Sequence, residues 1–167
     1  NKTVSNDILS PLIKFYDNLY KASKDGNIEE EIEKILSYKI DKTSPEQYAS
    51  VREEFNKTFD PYLFFALVSS CTNNMMRFNQ KFKFNQTFGK RTFNNNTLLK
   101  INNFVNHLSK YKDKINFTNL SFENVNINEN SMVYIDPPYG YCVEDNKIIS
   151  KQISDAGYNC YWKKEDE

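Results

Sequence analysis

The sequence predicts an α/β fold interrupted by an inserted helical and hairpin segment, and three observations predict it. A β-branched opening, Lys2-Thr3-Val4, gives way at Ser5-Asn6-Asp7 to a helical pattern. A second apolar run, Met132-Val133-Tyr134-Ile135, reads as a buried strand that stops at Asp136-Pro137-Pro138-Tyr139, because paired prolines neither continue a ladder nor enter a helix smoothly. Between the two, helical spacing switches to alternation through an aromatic and basic stretch. Asp136 is thereby placed at a strand's carboxyl end, the edge where ligands bind in open α/β sheets. A bare strand-ending turn would account for the same four residues.

A chain of 167 residues with 39% hydrophobic and 15% aromatic content is long enough to bury one core. Its formal charge is zero, so attraction to a polyanion has to come from a local patch. No run of about 18 apolar residues and no charged-then-apolar leader occurs, so neither a membrane span nor a signal peptide is expected and a cytoplasmic location is. Cys71, Cys142 and Cys160 lack metal-ligand spacing, and the single histidine, His107, offers neither a metal set nor a Cys–His dyad. No metal is expected.

Along the chain, Pro11 just inside a helix and Ile8, Leu12, Phe15 and Leu19 at helical spacing predict a first helix to about Ala22. Asp7 then sits at a strand-to-helix junction, where an acid either accepts hydrogen bonds from ribose hydroxyls or simply caps the helix. Gly26-Asn27 breaks the pattern before a second helix carrying Ile28, Ile32, Ile35 and Leu36. Ser44-Pro45-Glu46-Gln47 reads as a capping box for a third, with Tyr48, Val51 and Phe55 as its buried stripe. Asp60-Pro61 opens a fourth through Phe64 and Leu67. Thr97 is the expected cap of a fifth, which carries Leu98, Ile101, Val105 and Leu108. Ile115-Asn116-Phe117 reads as a strand, with Leu120 to Glu123 as the turn behind it. The polar residues beyond Tyr139 lack periodicity and read as a mobile loop.

From Cys71 to Thr92 the spacing of Phe78, Phe82, Phe84 and Phe88 suggests extended strands or a hairpin. No Asp or Glu occurs between Pro61 and Lys112, whereas Arg77, Lys81, Lys83, Lys90, Arg91, Lys100, Lys110 and Lys112 are basic. Cations interleaved with aromatic and amide side chains are the footprint of nucleic-acid contact. A solvated edge protected by lysines would carry the same charge.

The residues then meet a known family. Asp136-Pro137-Pro138-Tyr139 resembles motif IV of S-adenosyl-L-methionine-dependent amino-methyltransferases. Asn74-Met75, Arg77-Phe78-Asn79, Phe84-Asn85 and Phe88-Gly89-Lys90-Arg91 resemble the target-recognition hairpin of Dam-type (D12 class, alpha-group) adenine-N6 DNA methyltransferases. The resemblance runs from Asn6-Asp7 to Trp162 and implies a partial Rossmann-like methyltransferase fold. Residues 1–25 and 113–167 would belong to the catalytic domain, and 26–112 to target recognition, with the DNA-contacting hairpin at about 71–92. It also implies a site-specific enzyme that methylates a flipped adenine in double-stranded DNA, with S-adenosyl-L-methionine as cofactor and a cognate restriction endonuclease as a system partner. Asp136 and the Pro137 carbonyl would accept the amino hydrogens, with Pro138 and Tyr139 completing the motif and Tyr139 stacking on the base. Asp7, Ser121, Phe122 and Asp136 would line the cofactor. Asn73, Asn74, Met75, Arg77, Asn79 and Lys81 on one limb, and Lys83, Thr87, Gly89, Lys90 and Arg91 on the other, would meet DNA.

Two departures bear on this. The family's Phe-x-Gly-x-Gly cofactor loop, expected upstream of Asp7, is not in the chain, which has four glycines and no such cluster. The chain therefore reads as an internal fragment, whose activity by itself is open. Thr72 and Thr87 stand where relatives carry an aromatic and a proline, so GATC, the site the resemblance favours, is also open. Two other readings stand beside this one: an amino-methyltransferase acting on RNA adenine, cytosine N4 or a protein amide, and a non-catalytic DNA-binding remnant.

Overall fold

The computed structural model describes residues 2–135 in full and the backbone of 142–144 and 147–150. Strand β1 (Thr3–Asn6) leads into helix α1 (Ser10–Asp25), followed by α2 (Ile28–Ser37), α3 (Pro45–Thr58), α4 (Pro61–Ser70) and α5 (Asn95–Ser109). Strand β2 (Ile115–Thr118) returns to β1, and β3 (Cys142–Glu144) pairs antiparallel with β4 (Lys147–Ser150). The fold is thus mixed and mainly helical, with a small parallel sheet.

Helix starts follow local chemistry. Pro11, Pro45 and Pro61 each occupy the first turn, where a missing N–H costs nothing. The Asp60 carboxylate accepts from Tyr62 N–H and Leu63 N–H. The capping box expected at Ser44 is only half formed. Ser44 Oγ accepts the Gln47 N–H, but the Gln47 side chain turns away to accept from Asp41 N–H and donate to the Lys39 carbonyl. Helix α5 is capped by Asn94, not Thr97: Asn94 Oδ1 accepts from the Asn96 and Thr97 N–H groups, while Thr97 Oγ1 accepts from Asn94 N–H as the reciprocal arm of the box. Gly26, at φ 81°, ends α1 in the left-handed conformation that glycine adopts without strain.

Two aromatic-rich cores result. One gathers Phe15, Leu19, Ile35, Tyr62, Phe93, Ile101 and Val105, and closes α1, α2, α4 and α5 on one another. The other gathers Tyr48, Phe55, Phe64, Leu67, Phe78 and Phe84 beneath the segment after α4. Each buried Phe there is worth roughly 1.5–3 kcal/mol.

Strands β1 and β2 pair in parallel, Thr3 opposite Ile115 through Asn6 opposite Thr118. Asn6 fastens the turn beyond them. Its Oδ1 accepts from Thr118 Oγ1 and Leu120 N–H, and its Nδ2 donates to the Leu120 carbonyl. Met132–Ile135 corrects the expectation of a buried strand: the run forms none and lies open, Met132 at 101% and Tyr134 at 88% exposure. Strand formation needs a neighbouring edge as well as an apolar pattern, and among the described residues the parallel ladder ends at two strands. Residues 142–144 and 147–150, where a mobile loop was expected, carry the β3–β4 ladder. No helix among the described residues is long and apolar enough to cross a membrane.

Candidate nucleic-acid interface and cofactor edge

The segment from Cys71 to Thr92 doubles back as an irregular antiparallel loop, not a regular hairpin. Bridges join Cys71 to Phe88 and Phe78 to Phe84, with Thr72 N–H donating to the Thr87 carbonyl at 3.0 Å and Asn85 N–H to the Arg77 carbonyl at 3.0 Å. A regular ladder is interrupted because Asn73, Asn74, Phe82 and Lys90 all take positive φ, between 52° and 58°. So few backbone bonds hold the loop that its position comes from side chains. Phe78 and Phe84 bury their rings against Phe55 and Phe64 at centroid distances of 6.0–6.5 Å and meet each other edge to face at 5.6 Å. Phe88 packs on Tyr48 at 5.0 Å, and Tyr48 OH donates to the Gln86 carbonyl. Phe82, at the tip, is exposed and stacks on Phe59 and Phe78.

The loop ends are pinned where they cross. Gly89 N–H donates to the Ser70 carbonyl at 2.9 Å, and a Cβ at Gly89 would lie 2.6 Å from the Cys71 carbonyl carbon. No side chain fits there. Gln86, buried, donates Nε2–H to the Thr72 carbonyl, and Thr72 and Thr87 place their hydroxyls 3.0 Å apart. Cys71 is a buried free thiol whose pKa burial pushes up to about 11, so it is suited to packing and not to chemistry.

Among the expected contact residues, Asn73, Asn74, Arg77, Lys81, Lys83, Thr87, Lys90 and Arg91 are exposed, and Met75, Asn79 and Gly89 are half-buried. Ion pairs among the described residues join Lys21 to Asp17, Lys24 to Asp113 and Lys57 to Glu54. Among the described residues, none involves Arg77, Lys81, Lys83, Lys90 or Arg91. Asn79 is largely committed to the tip, since its Oδ1 accepts from Lys81 N–H and Lys83 N–H at 2.9 and 3.0 Å. Arg91 Nη1 donates to Asn74 Oδ1 at 3.4 Å, and Asn74 Nδ2 donates to the Val68 carbonyl at 2.9 Å.

Asp7 and Ser121-Phe122 are distant in sequence and meet at the carboxyl end of the parallel pair. Asp7 N–H donates to the Thr118 carbonyl, and Asn119 Nδ2 donates to the Asp7 carbonyl at 2.8 Å. Asp7 Oδ1 accepts from Leu9 N–H at 2.7 Å, so one oxygen serves the start of α1, and among the described residues no donor is placed on the other. Ser121 Oγ donates to Glu123 Oε2, and Phe122 is 55% exposed in a short 3₁₀ turn. A carboxylate acceptor and a partly exposed aromatic ring at one sheet edge are groups of the kind that ribose hydroxyls and a base call for, so these residues fit a nucleoside cofactor. Asp136, Pro137, Pro138 and Tyr139 lie outside the described residues.

Sequence reading placed Tyr48 in a buried stripe but missed that its hydroxyl, like the Asn56 amide, holds the loop backbone, and that Gln86 ties one limb of the loop to the other. A polar residue on a helix carries no sequence signal of a long-range backbone partner.

Residues 1–150 match the family described as D12 class N6 adenine-specific DNA methyltransferase. The chain is 27% identical over 142 residues to "Type II methyltransferase M.FokI" of Planomicrobium okeanokoites, covering 83% of this chain and 22% of that protein. It is 31% identical over 111 residues to "Modification methylase StsI" of Streptococcus sanguinis, covering 64% of this chain and 17% of that protein. "Modification methylase LlaI" of Lactococcus lactis subsp. lactis is 24% identical over 163 residues, covering 95% and 24%. The chain spans about a quarter or less of these relatives' lengths.

Proposed function

We propose that this chain, which belongs to the family of D12 class N6 adenine-specific DNA methyltransferases, supplies target recognition and part of the catalytic edge of a site-specific adenine methyltransferase. The observation that carries the proposal is that one family match runs over residues 1–150, taking in Asp7, the acid-free loop and Asp136-Pro137-Pro138-Tyr139 together. The proposed division is 1–25 and 113–167 as a Rossmann-like catalytic part and 26–112 as target recognition.

Double-stranded DNA is the proposed substrate. Lys81, Lys83 and Lys90 meet phosphates, which position the protein, and Arg77 and Arg91 reach base edges, which inform it. S-adenosyl-L-methionine, when bound, supplies an electrophilic methyl group. Asp7 holds its ribose hydroxyls, and Ser121 and Phe122 line its base. The adenine amino lone pair is delocalised into the ring, so it has to be localised before it can attack. The Asp136 carboxylate and Pro137 carbonyl each accept one amino hydrogen and stabilise the charge that builds on nitrogen, Pro138 fixes the turn, and Tyr139 stacks on the flipped base. The proposed enzyme is cytoplasmic, and the names of the relatives as modification methylases support pairing with a cognate restriction endonuclease.

The complete protein, incubated with a randomised DNA duplex pool and S-adenosyl-L-methionine, should produce N6-methyladenine, measured by mass spectrometry of the digested nucleosides. N4-methylcytosine as the product, or no methylated base, would overturn the assignment.

A further inference from the structure

We propose that Asn74 is a positioning residue for sequence readout: its side-chain amide holds the Arg91 guanidinium, and the two read one base pair as a unit. The proposal deepens the reading of the loop as a DNA-contacting surface and rests on it.

The amide is oriented by its partners. The Val68 carbonyl can only accept and the Arg91 guanidinium can only donate, so the Asn74 nitrogen faces Val68 at 2.9 Å and its oxygen faces Arg91 at 3.4 Å. One end of the amide is therefore anchored to the last turn of α4. The other end reaches the one arginine that follows the Gly89 crossing, where the missing Cβ lets the Gly89 backbone run against Cys71 and Thr72. The backbone is arranged to the same end, because Asn73 and Asn74 both take the left-handed conformation, φ 58° and 55°, which asparagine tolerates better than most residues. With that turn flattened, the amide would not face Arg91.

A carbonyl is also the right kind of partner. A carboxylate at this place would orient Arg91 and cancel its charge, whereas an amide oxygen takes one of its five N–H donors and leaves the charge and the rest of the fork for a guanine O6/N7 edge. No acid lies between Pro61 and Lys112 to take that role. An arginine side chain held in place before encounter loses less freedom on binding, and that saving falls on the one geometry in which it is held.

The test uses the complete protein and a duplex pool with a randomised core, sequencing the bound fraction. Asn74→Gly keeps the positive φ and removes only the amide. It should lower base preference about fivefold at one position, cost the other positions no preference, and leave the melting temperature within about 2 °C. Arg91→Ala should abolish preference at that same position, and the double variant should match Arg91→Ala alone. Should Arg91→Ala relax one position while Asn74→Gly relaxes none, or weaken every sequence equally, Asn74 is structural and the proposal is overturned with the loop reading intact. If Arg91→Ala relaxes no position, the base-reading role of Arg91 fails first, and the unit falls with it.

Discussion

Asn56 holds both backbone polar groups of Phe84. Its Oδ1 accepts the Phe84 N–H at 2.7 Å and its Nδ2 donates to the Phe84 carbonyl at 3.1 Å, so a side chain of α3 stands in for the neighbouring strand the loop does not have. Asn56→Ala should leave both groups unpaired beside a buried ring and cost about 2–4 kcal/mol. Urea denaturation of the complete protein measures this, and a midpoint equal to wild type would show that the loop is held by its rings alone.

On the proposed role of its carboxylate, which is to act on charge that develops at the amino nitrogen, Asp136→Ala should retain duplex affinity and lose methyl transfer by a factor on the order of 10²–10³ or more. Single-turnover methylation measures the loss. Turnover near wild type would remove Asp136 from the chemistry.

Asp7 gives one oxygen to the Leu9 N–H, and the other is the one proposed to meet ribose. Asp7→Asn keeps an acceptor for Leu9 N–H, so stability should hold, while S-adenosyl-L-methionine binding weakens by about 1.5–3 kcal/mol, the worth of a hydrogen bond to a charged group. Calorimetric titration with the cofactor distinguishes the outcomes: unchanged affinity would make Asp7 a cap and nothing more.

Lys83→Ala should weaken cognate and random duplexes alike and reduce the slope of log affinity against log salt by about one, as loss of one phosphate contact requires. An unchanged slope would place Lys83 away from the backbone of the duplex.

Cys71 gives a pH dependence whose sign follows from its burial. The thiol pKa rises from its ordinary value of 9.0 to about 11 on folding, so its neutral form is favoured in the native state and the associated stability is complete below pH 9. Between pH 9 and 11 the unfolded chain gives up its proton first and that stability is lost. The destabilisation caused by Cys71→Ala, read from denaturation midpoints, should therefore shrink between pH 8.5 and 10.5. A constant difference would contradict the assignment.

What was legible in the sequence was what is decided within a few residues. Pro11, Pro45 and Pro61 fix the starts of three helices, and Gly26 fixes an end, because a missing N–H or a missing Cβ acts locally. Asn94-Asn95-Asn96-Thr97 offered four competent caps in a row, and local chemistry does not choose among them. Met132–Ile135 carries the pattern of a strand, but a ladder is completed by a neighbour elsewhere in the chain. The irregular loop was concealed for a further reason: its left-handed residues are Asn, Phe and Lys, which do not announce a turn as glycine does. Of the candidate site, the acid-free run of cations was readable from composition. The placing of Asp7 beside Thr118 and Asn119, at the sheet edge that leads to Ser121-Phe122, needed the parallel register, which spans more than a hundred residues.

The crossing at Gly89 closes the excursion between Thr72 and Phe88 at its base. The Ser70–Gly89 bond fastens it to the end of α4 and the Thr72–Thr87 bond closes it just beyond, while the buried rings of Phe78 and Phe84 and the Asn56 amide hold its middle, so only the exposed tip is left without a fixed length. Lengthening a loop already closed at its base costs only fractions of a kcal/mol per added residue. Length can therefore vary around Gln80 and Lys81 while the crossing at Gly89 and the rings of Phe78 and Phe84 stay fixed. An engineer extending the loop at that tip would be using a joint that the fold already has.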